Sequence, residues 1–355
     1  MAFKLTAILA AYLLDLVIGD PNFAWHPVRI IGRLIARMET ILNNGRLNRK
    51  FSGLLLVILI VFLIIICVSA LLKLSALIHP VFHFIVYVLL IYFALSVKSL
   101  AKEAGNVYSA LIKNDIPLAR KNLSMIVARD SKNLDEPQII RATVETVAES
   151  TMDGIVSPLF YAFLGGPVLA WVYKAVNTLD SMVGYKNERF INFGRASAVL
   201  DGIINYIPAK ITCFTILIAS YCCAKFAPRQ KVQSVKTGMI GADSGFAQAN
   251  PAIKDATTVK TRSFTKNHWK VTFKYLFTGK EYNSEATEAV MASALGVQLG
   301  GVNYYDAVAV EKHLIGENIY PLKIQHIKES IKIAYVSSAI FMAMGIFFIS
   351  FIGRR

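Results

Sequence analysis

Long apolar runs alternate along this chain with stretches rich in charge, and the runs match the thickness of a bilayer better than the width of a soluble core. Residues 54–72 and 333–352 hold no charged side chain, and each predicts a membrane-spanning helix. Residues 81–97 predict a third, with Pro80 at the first turn, where a backbone N–H is not needed. Three less regular segments lie near 3–18, 155–173 and 203–224. The first is short and carries Asp15; it has no convincing cleavage sequence and reads as a retained helix rather than a signal peptide. The second contains Pro158 and the run Gly165-Gly166-Pro167, which predicts a broken or re-entrant helix. The pattern predicts an all-α, polytopic helical membrane protein with about five or six membrane segments and polar helical loops. It divides the chain into a membrane domain over 1–224, a polar region over 225–332 and a C-terminal membrane helix over 333–355. The expected location is the cell membrane, as a multi-pass protein.

Composition sharpens this picture. Of 355 residues, 55% are apolar or aromatic and 17% are charged, against roughly 25% charged in soluble chains. Disordered, collagen-like and disulfide-scaffold classes are excluded. The net charge of +15 does not indicate nucleic acid as a partner, because acidic residues interleave with the basic ones and no arginine-aromatic module occurs. Excess Lys and Arg beside spans fits the positive-inside bias and a partner lipid bilayer. Cys67, Cys213, Cys222 and Cys223 sit in apolar stretches without metal-type spacing and read as free thiols. His79 and His83, one turn apart at a span's end, read as interfacial residues.

Polar residues then gather in places where an apolar chain makes them costly. After the first helix come Asp15, Asp20, His26 and Arg29, read either as a paired polar cluster or as a plain helix stop with Asp20 solvated. From Arg141 onward, Arg141, Glu145, Glu149 and Asp153 recur every fourth residue, one slowly drifting stripe on a helix. No lysine intersperses them. Carboxylates so placed repel one another unless a hard cation such as Mg²⁺ lies among them; a solvated acidic face is the competing reading. Asp135 is placed to cap the helix that opens at Pro137. Further on, Asn177 and Asp180 share a helix face, and Asp201 and Asn205 repeat the pairing. No glycine-rich phosphate loop, dinucleotide fingerprint, zinc-protease motif or nucleophile elbow is present.

The stretches LLDLVIGDPNFAWHPVRIIGRLI, VARDSKNLDEPQIIRATVETVAESTMDGIVSPLFYAFLGGPVLAWVYKAVNTLDSMVGYKNERF and ALGVQLGGVNYY closely resemble the cobalamin-biosynthesis membrane proteins of the adenosylcobinamide-phosphate synthase family. The likeness covers about residues 4–208 and resumes near Asn283. It implies an amide-forming ligase that joins adenosylcobyric acid to (R)-1-amino-2-propanol phosphate with ATP as co-substrate and Mg²⁺. Roles on the matching positions are our own assignment: catalysis is expected of His26, Arg29, Arg129, Asp130 and Lys186. Substrate binding falls to Asp15, Asp20, Asn177, Asp201, Asn205, Asn283 and Asn303, and Mg²⁺ to Glu145, Glu149, Asp153 and Asp180. Other corrinoid-pathway enzymes are further expected partners. The chain departs from the family's usual pattern at Glu281-Tyr282, in place of Ser-Pro, and at Val302, in place of Pro.

Two other classes compete. A Mg²⁺-dependent membrane transferase acting on a lipid or polyprenyl diphosphate needs two aspartate-rich motifs on facing helices, and Asn177-x-x-Asp180 is a weak match to one. A transporter or scaffold would use the broken helix, but transporters usually carry an internal repeat and none is found.

Overall fold

The computed structural model describes residues 2–21, 23, 25–45, 47–185, 187–225, 266–277, 283–305 and 308–352. The apolar runs form helices: α1 (Ala2–Ile18), α3 (Arg49–Ile78), α4 (Pro80–Tyr92), α8 (Ser157–Val183), α9 (Arg195–Lys225) and α12 (Gln325–Ile352). Five helical stretches are long and apolar enough to cross a membrane, and the protein is an all-α, polytopic membrane protein. In α3 only 22% of the apolar window is buried, so most of its Leu, Ile and Phe side chains face outward, where only lipid suits them. The first segment, α1, is a helix of 17 residues.

Shorter helices fill the polar loops: α2 (Pro27–Leu42), α5 (Val97–Ile112), α6 (Ile116–Ser124), α7 (Glu136–Thr151), α10 (Lys266–Phe277) and α11 (Asn283–Leu295). The start of α7 follows local chemistry. Asp135 caps α7 with a reciprocal Gln138 contact, at 2.9 Å each way, a capping box that satisfies two otherwise orphaned N–H groups. α2 packs Ile31 and Ile35 inward and buries Glu39, which Arg189 meets at 2.8 and 3.2 Å.

Three expectations need correcting. The segment expected at 81–97 stops at Tyr92, and a new helix starts at Val97 because Asp15 Oδ2 accepts the Val97 N–H at 2.7 Å and caps it. The C-terminal helix starts at Gln325 rather than near 333, since a half-polar turn precedes its apolar stretch. The loops are not entirely helical. Strands β1 (Leu299–Tyr305) and β2 (Val308–Ile315) pair antiparallel as a hairpin. Gly300 sits at its base with φ +86, and a Cβ there would lie 2.1 Å from the His313 carbonyl oxygen, so only glycine fits.

The segment with Pro158 and Gly165-Gly166-Pro167 is broken, as its sequence predicts. Gly165 and Gly166 leave helical geometry inside α8. Tyr161 and Tyr173 nevertheless stack at 5.3 Å with 12° between their rings. Twelve residues of straight helix would hold them about 18 Å apart, so the arms before and after the glycines double back as a hairpin. Leu164, at its tip, accepts a hydrogen bond from Lys4 Nζ at 3.1 Å.

Candidate active site

The acidic stripe does not run on unchanged. After Thr151 the helix widens into a π-turn over Met152–Val156, which takes Asp153 out of the even four-residue stripe and re-aims it. Glu145, expected among the Mg²⁺ carboxylates, is engaged by other partners. Only 2% exposed, it accepts from Arg129 at Oε2 and from the Gly300 N–H at Oε1, 2.9 Å away. Arg129 also donates to Asn303 Oδ1, and Arg141 donates to the Gly300 and Val302 carbonyls and to Asn303 Oδ1. Glu145, Arg129, Arg141 and Asn303 thus bind the base of the β-hairpin to α7.

Downstream of that junction the remaining carboxylates meet. Asp153 lies in electrostatic reach of Glu149, Asp201 and Lys174, and Asp180 in reach of Glu149 and Asp201. Glu149 is exposed, and Asp153, Asp180, Asp201, Asn177 and Lys174 are partly exposed, so these residues line an open hollow between α7, α8 and α9. A hydrogen-bonded frame holds it. Tyr173 Oη donates to Asp153 Oδ1 at 3.1 Å, Ser157 donates to Asn205 Oδ1 at 2.8 Å, and Asn205 donates to Asp201 Oδ2 at 3.0 Å. Asp201 Oδ1 is buried and short of a well-formed hydrogen bond, with the Asn177 side chain in reach of the same carboxylate. The Tyr173 and Asp153 contact exists only because the α8 hairpin folds back.

The loop after α1 borders this hollow. His26 Nε2 lies 2.7 Å from Asp20 Oδ1, and Asp20 is in electrostatic reach of Lys174. Asp15, 0% exposed, uses one oxygen to cap α5. Asn283, first residue of α11, donates to the Gly202 carbonyl at 2.8 Å and ties α11 to α9. Arg29 projects from the exposed face of α2, and Asp130 is exposed where its N–H donates to the Tyr304 carbonyl at 2.8 Å. Lys186 lies outside the described residues. The expected interfacial histidines make local contacts: His83 Nδ1 is 3.0 Å from Ser75 Oγ, and His79 accepts the Val81 N–H.

Five contributors escaped the sequence reading. Tyr173, Ser157 and Lys174 lay within the quoted blocks, but an apolar helix gives no sign of which face a hydroxyl will meet. Lys312, on β2, approaches Glu288 on α11 at 3.7 Å, and no local pattern marks either residue. Burial pushes the Glu288 carboxyl up to about 8 despite Lys312 nearby. Burial draws the Lys312 ammonium down, but Glu288, Glu145 and Glu149 outweigh that and leave it above its ordinary value.

A polytopic helical bundle with an acidic hollow walled by a doubled-back helix defines the class: a membrane protein with a polar site among its spans. The chain matches the family model described as CobD/Cbib protein over residues 8–334, and it belongs to that family. It is 40% identical over 311 residues to the cobalamin biosynthesis protein CobD of Clostridium perfringens, covering 87% of each chain. Identity to the CobD protein of Geobacter metallireducens is 37% over 328 residues, covering 92% of this chain and 91% of the relative. The cobalamin biosynthesis protein CbiB of Salmonella typhi is 36% identical over 337 residues, covering 94% of each. No solved structure matches the chain.

Proposed function

We propose that this protein acts in cobalamin biosynthesis at the cell membrane as an ATP-dependent ligase, joining a carboxyl of adenosylcobyric acid to the amine of (R)-1-amino-2-propanol phosphate. One observation carries the reading beyond family membership: Glu149, Asp153, Asp180 and Asp201 gather in one accessible hollow, mixed with Lys174. Nothing about folding alone calls for four like charges there.

The donors fit Mg²⁺ with phosphate. Among the described residues no three carboxylate, His or Cys groups form a ready ligand cluster, so Mg²⁺ would have to bring water and phosphate oxygens to complete its shell. Asp201 Oδ1, buried and without a well-formed hydrogen bond, would be open to a cation. Glu149, Asp153, Asp180 and Asp201 would hold the ion, and when bound it would offset the charge of the nucleotide phosphates.

The remaining chemistry falls to side chains. A carboxylate becomes reactive toward an amine once its oxygen has accepted a phosphoryl group and can leave as phosphate. Lys174, flanked by Asp153 and Asp20, and Arg29 and Lys186 would neutralise the transferring group. The incoming amine must lose a proton before it attacks. His26, whose Nε2 faces Asp20, would take that proton at Nδ1. Tyr173, Ser157 and Asn205 position the carboxylates. Arg129 is committed to Glu145 and Asn303 and positions the hairpin instead of touching the reacting atoms.

The test is direct. Membranes containing the protein, given cobyric acid, aminopropanol phosphate and ATP, should yield a product whose mass equals the two acceptors less one water. Glu149→Gln and Asp180→Asn should abolish it while the protein stays in the membrane at normal amounts. Full activity in both variants would reject the site.

A further inference from the structure

Glu288 and Lys312 stand beside the hollow and have no part in the roles above. Glu288 is 2% exposed, yet its Oε2 meets no hydrogen-bond partner, an omission that is costly for a buried polar atom. Its Oε1 is 3.7 Å from Lys312 Nζ, well beyond the ~2.7–2.9 Å of a charge-assisted hydrogen bond. The Lys312 side chain is 42% exposed. A pair kept only for stability would close that gap. Both residues lie in electrostatic reach of Glu149, the exposed member of the hollow.

The geometry points to a subsite for a small zwitterion bearing an ammonium and a phosphate, with Glu288 Oε2 receiving the ammonium and Lys312 Nζ the phosphate. A carboxyl and an ammonium set side by side in the protein complement a ligand whose ammonium and phosphate are separated by a two-carbon bridge. Such a ligand would supply the donor that Oε2 lacks and the closer anion that Lys312 lacks. The choice of an amino-alcohol phosphate as that zwitterion rests on the ligase reading, and it deepens that reading by assigning the place where the amine substrate binds. Lys312 arrives on a hairpin that Arg129, Arg141 and Glu145 fasten to α7, which fixes this subsite against the carboxylates.

The pair is tested by direct binding to the full-length purified protein, using aminopropanol phosphate, ethanolamine phosphate, ethanolamine and inorganic phosphate as separate probes. Both zwitterions should bind at least tenfold more tightly than either fragment. Lys312→Met and Glu288→Gln should each weaken zwitterion binding about tenfold or more, the scale of one charged hydrogen bond, with ATP binding unchanged. Lys312→Arg should restore most of the phosphate contribution, which a merely structural loss would not allow. Wild-type affinity in both Lys312→Met and Glu288→Gln, or equal loss for ATP and zwitterion, overturns the subsite. The two readings separate cleanly. A protein that condenses the substrates but binds the zwitterion normally in both variants keeps the ligase and loses the subsite. One that binds through the pair but forms no amide does the reverse.

Discussion

Two glutamates one turn apart on α7 carry the same charge and have opposite consequences. Glu145 is sealed between Arg129 and the Gly300 N–H, so Glu145→Gln leaves a buried guanidinium without its counter-charge. Removing one partner of a buried pair costs about 3–5 kcal/mol, and the thermal midpoint in detergent should fall by several degrees. Glu149 is exposed beside other carboxylates, so Glu149→Gln should leave the midpoint level or raise it while ending activity. Equal melting behaviour of the two variants would contradict the division of roles. Glu288 makes a pH argument of its own. Its carboxyl moves from an ordinary value of 4.5 up to about 8 because burial disfavours the anion. Between those values the unfolded chain has released the proton and the folded protein retains it, so stability from this group is present below 4.5 and is lost as pH rises to about 8. Wild type should therefore lose stability relative to Glu288→Gln across that window. Melting both proteins at pH 5, 6.5 and 8 reads it, and a constant gap would mean that Glu288 ionises as freely folded as unfolded.

Among the elements, the α8 hairpin has the sharpest requirement on sequence. Gly166 adopts φ 65 and ψ −153, a region open essentially to glycine, and a Cβ would lie 2.3 Å from Tyr87 Oη. Gly166→Ala meets two obstacles, steric and torsional. It should destabilise the protein by about 1–3 kcal/mol and lower activity by pulling Tyr173 from Asp153. Adding Tyr87→Phe removes the nearest atom only, so the double variant should recover part of the melting temperature; complete recovery would refute the torsional share. This break was legible because a Gly-Gly-Pro run inside an apolar stretch has few other uses. The spans and the Asp135 cap were legible for similar reasons, since length, hydropathy and capping are local properties. The β-hairpin was not, because its strands are short and its base is fixed by α7 residues far away in sequence, as Arg141 to Gly300 shows. Glu145 looked like its neighbours in the stripe for the same reason: spacing gives a helix face, and only tertiary contact decides which member of that face is neutralised.

At the scale of the whole molecule, the hollow gathers negative charge at the meeting of α7, α8 and α9, and the fold tolerates the repulsion through hydrogen bonds from Tyr173 and Asn205. Such a site is expected to exchange stability for function. Neutralising Asp201 as Asp201→Asn keeps an acceptor for Asn205 and removes one of the like charges facing Asp153, so the ligand-free variant should melt at or above the wild-type temperature. Ligand should reverse the order. A species that binds only the folded state stabilises it by about 2.7 kcal/mol at a hundred times its dissociation constant. Mg²⁺ with a non-hydrolysable ATP analogue should therefore raise the wild-type midpoint clearly and move Asp201→Asn little. The crossing of the two proteins, variant above without ligand and wild type above with it, is the signature of carboxylates held together for a cation. Parallel shifts in both would instead place the nucleotide elsewhere on the molecule and leave the four acids without the role given to them here.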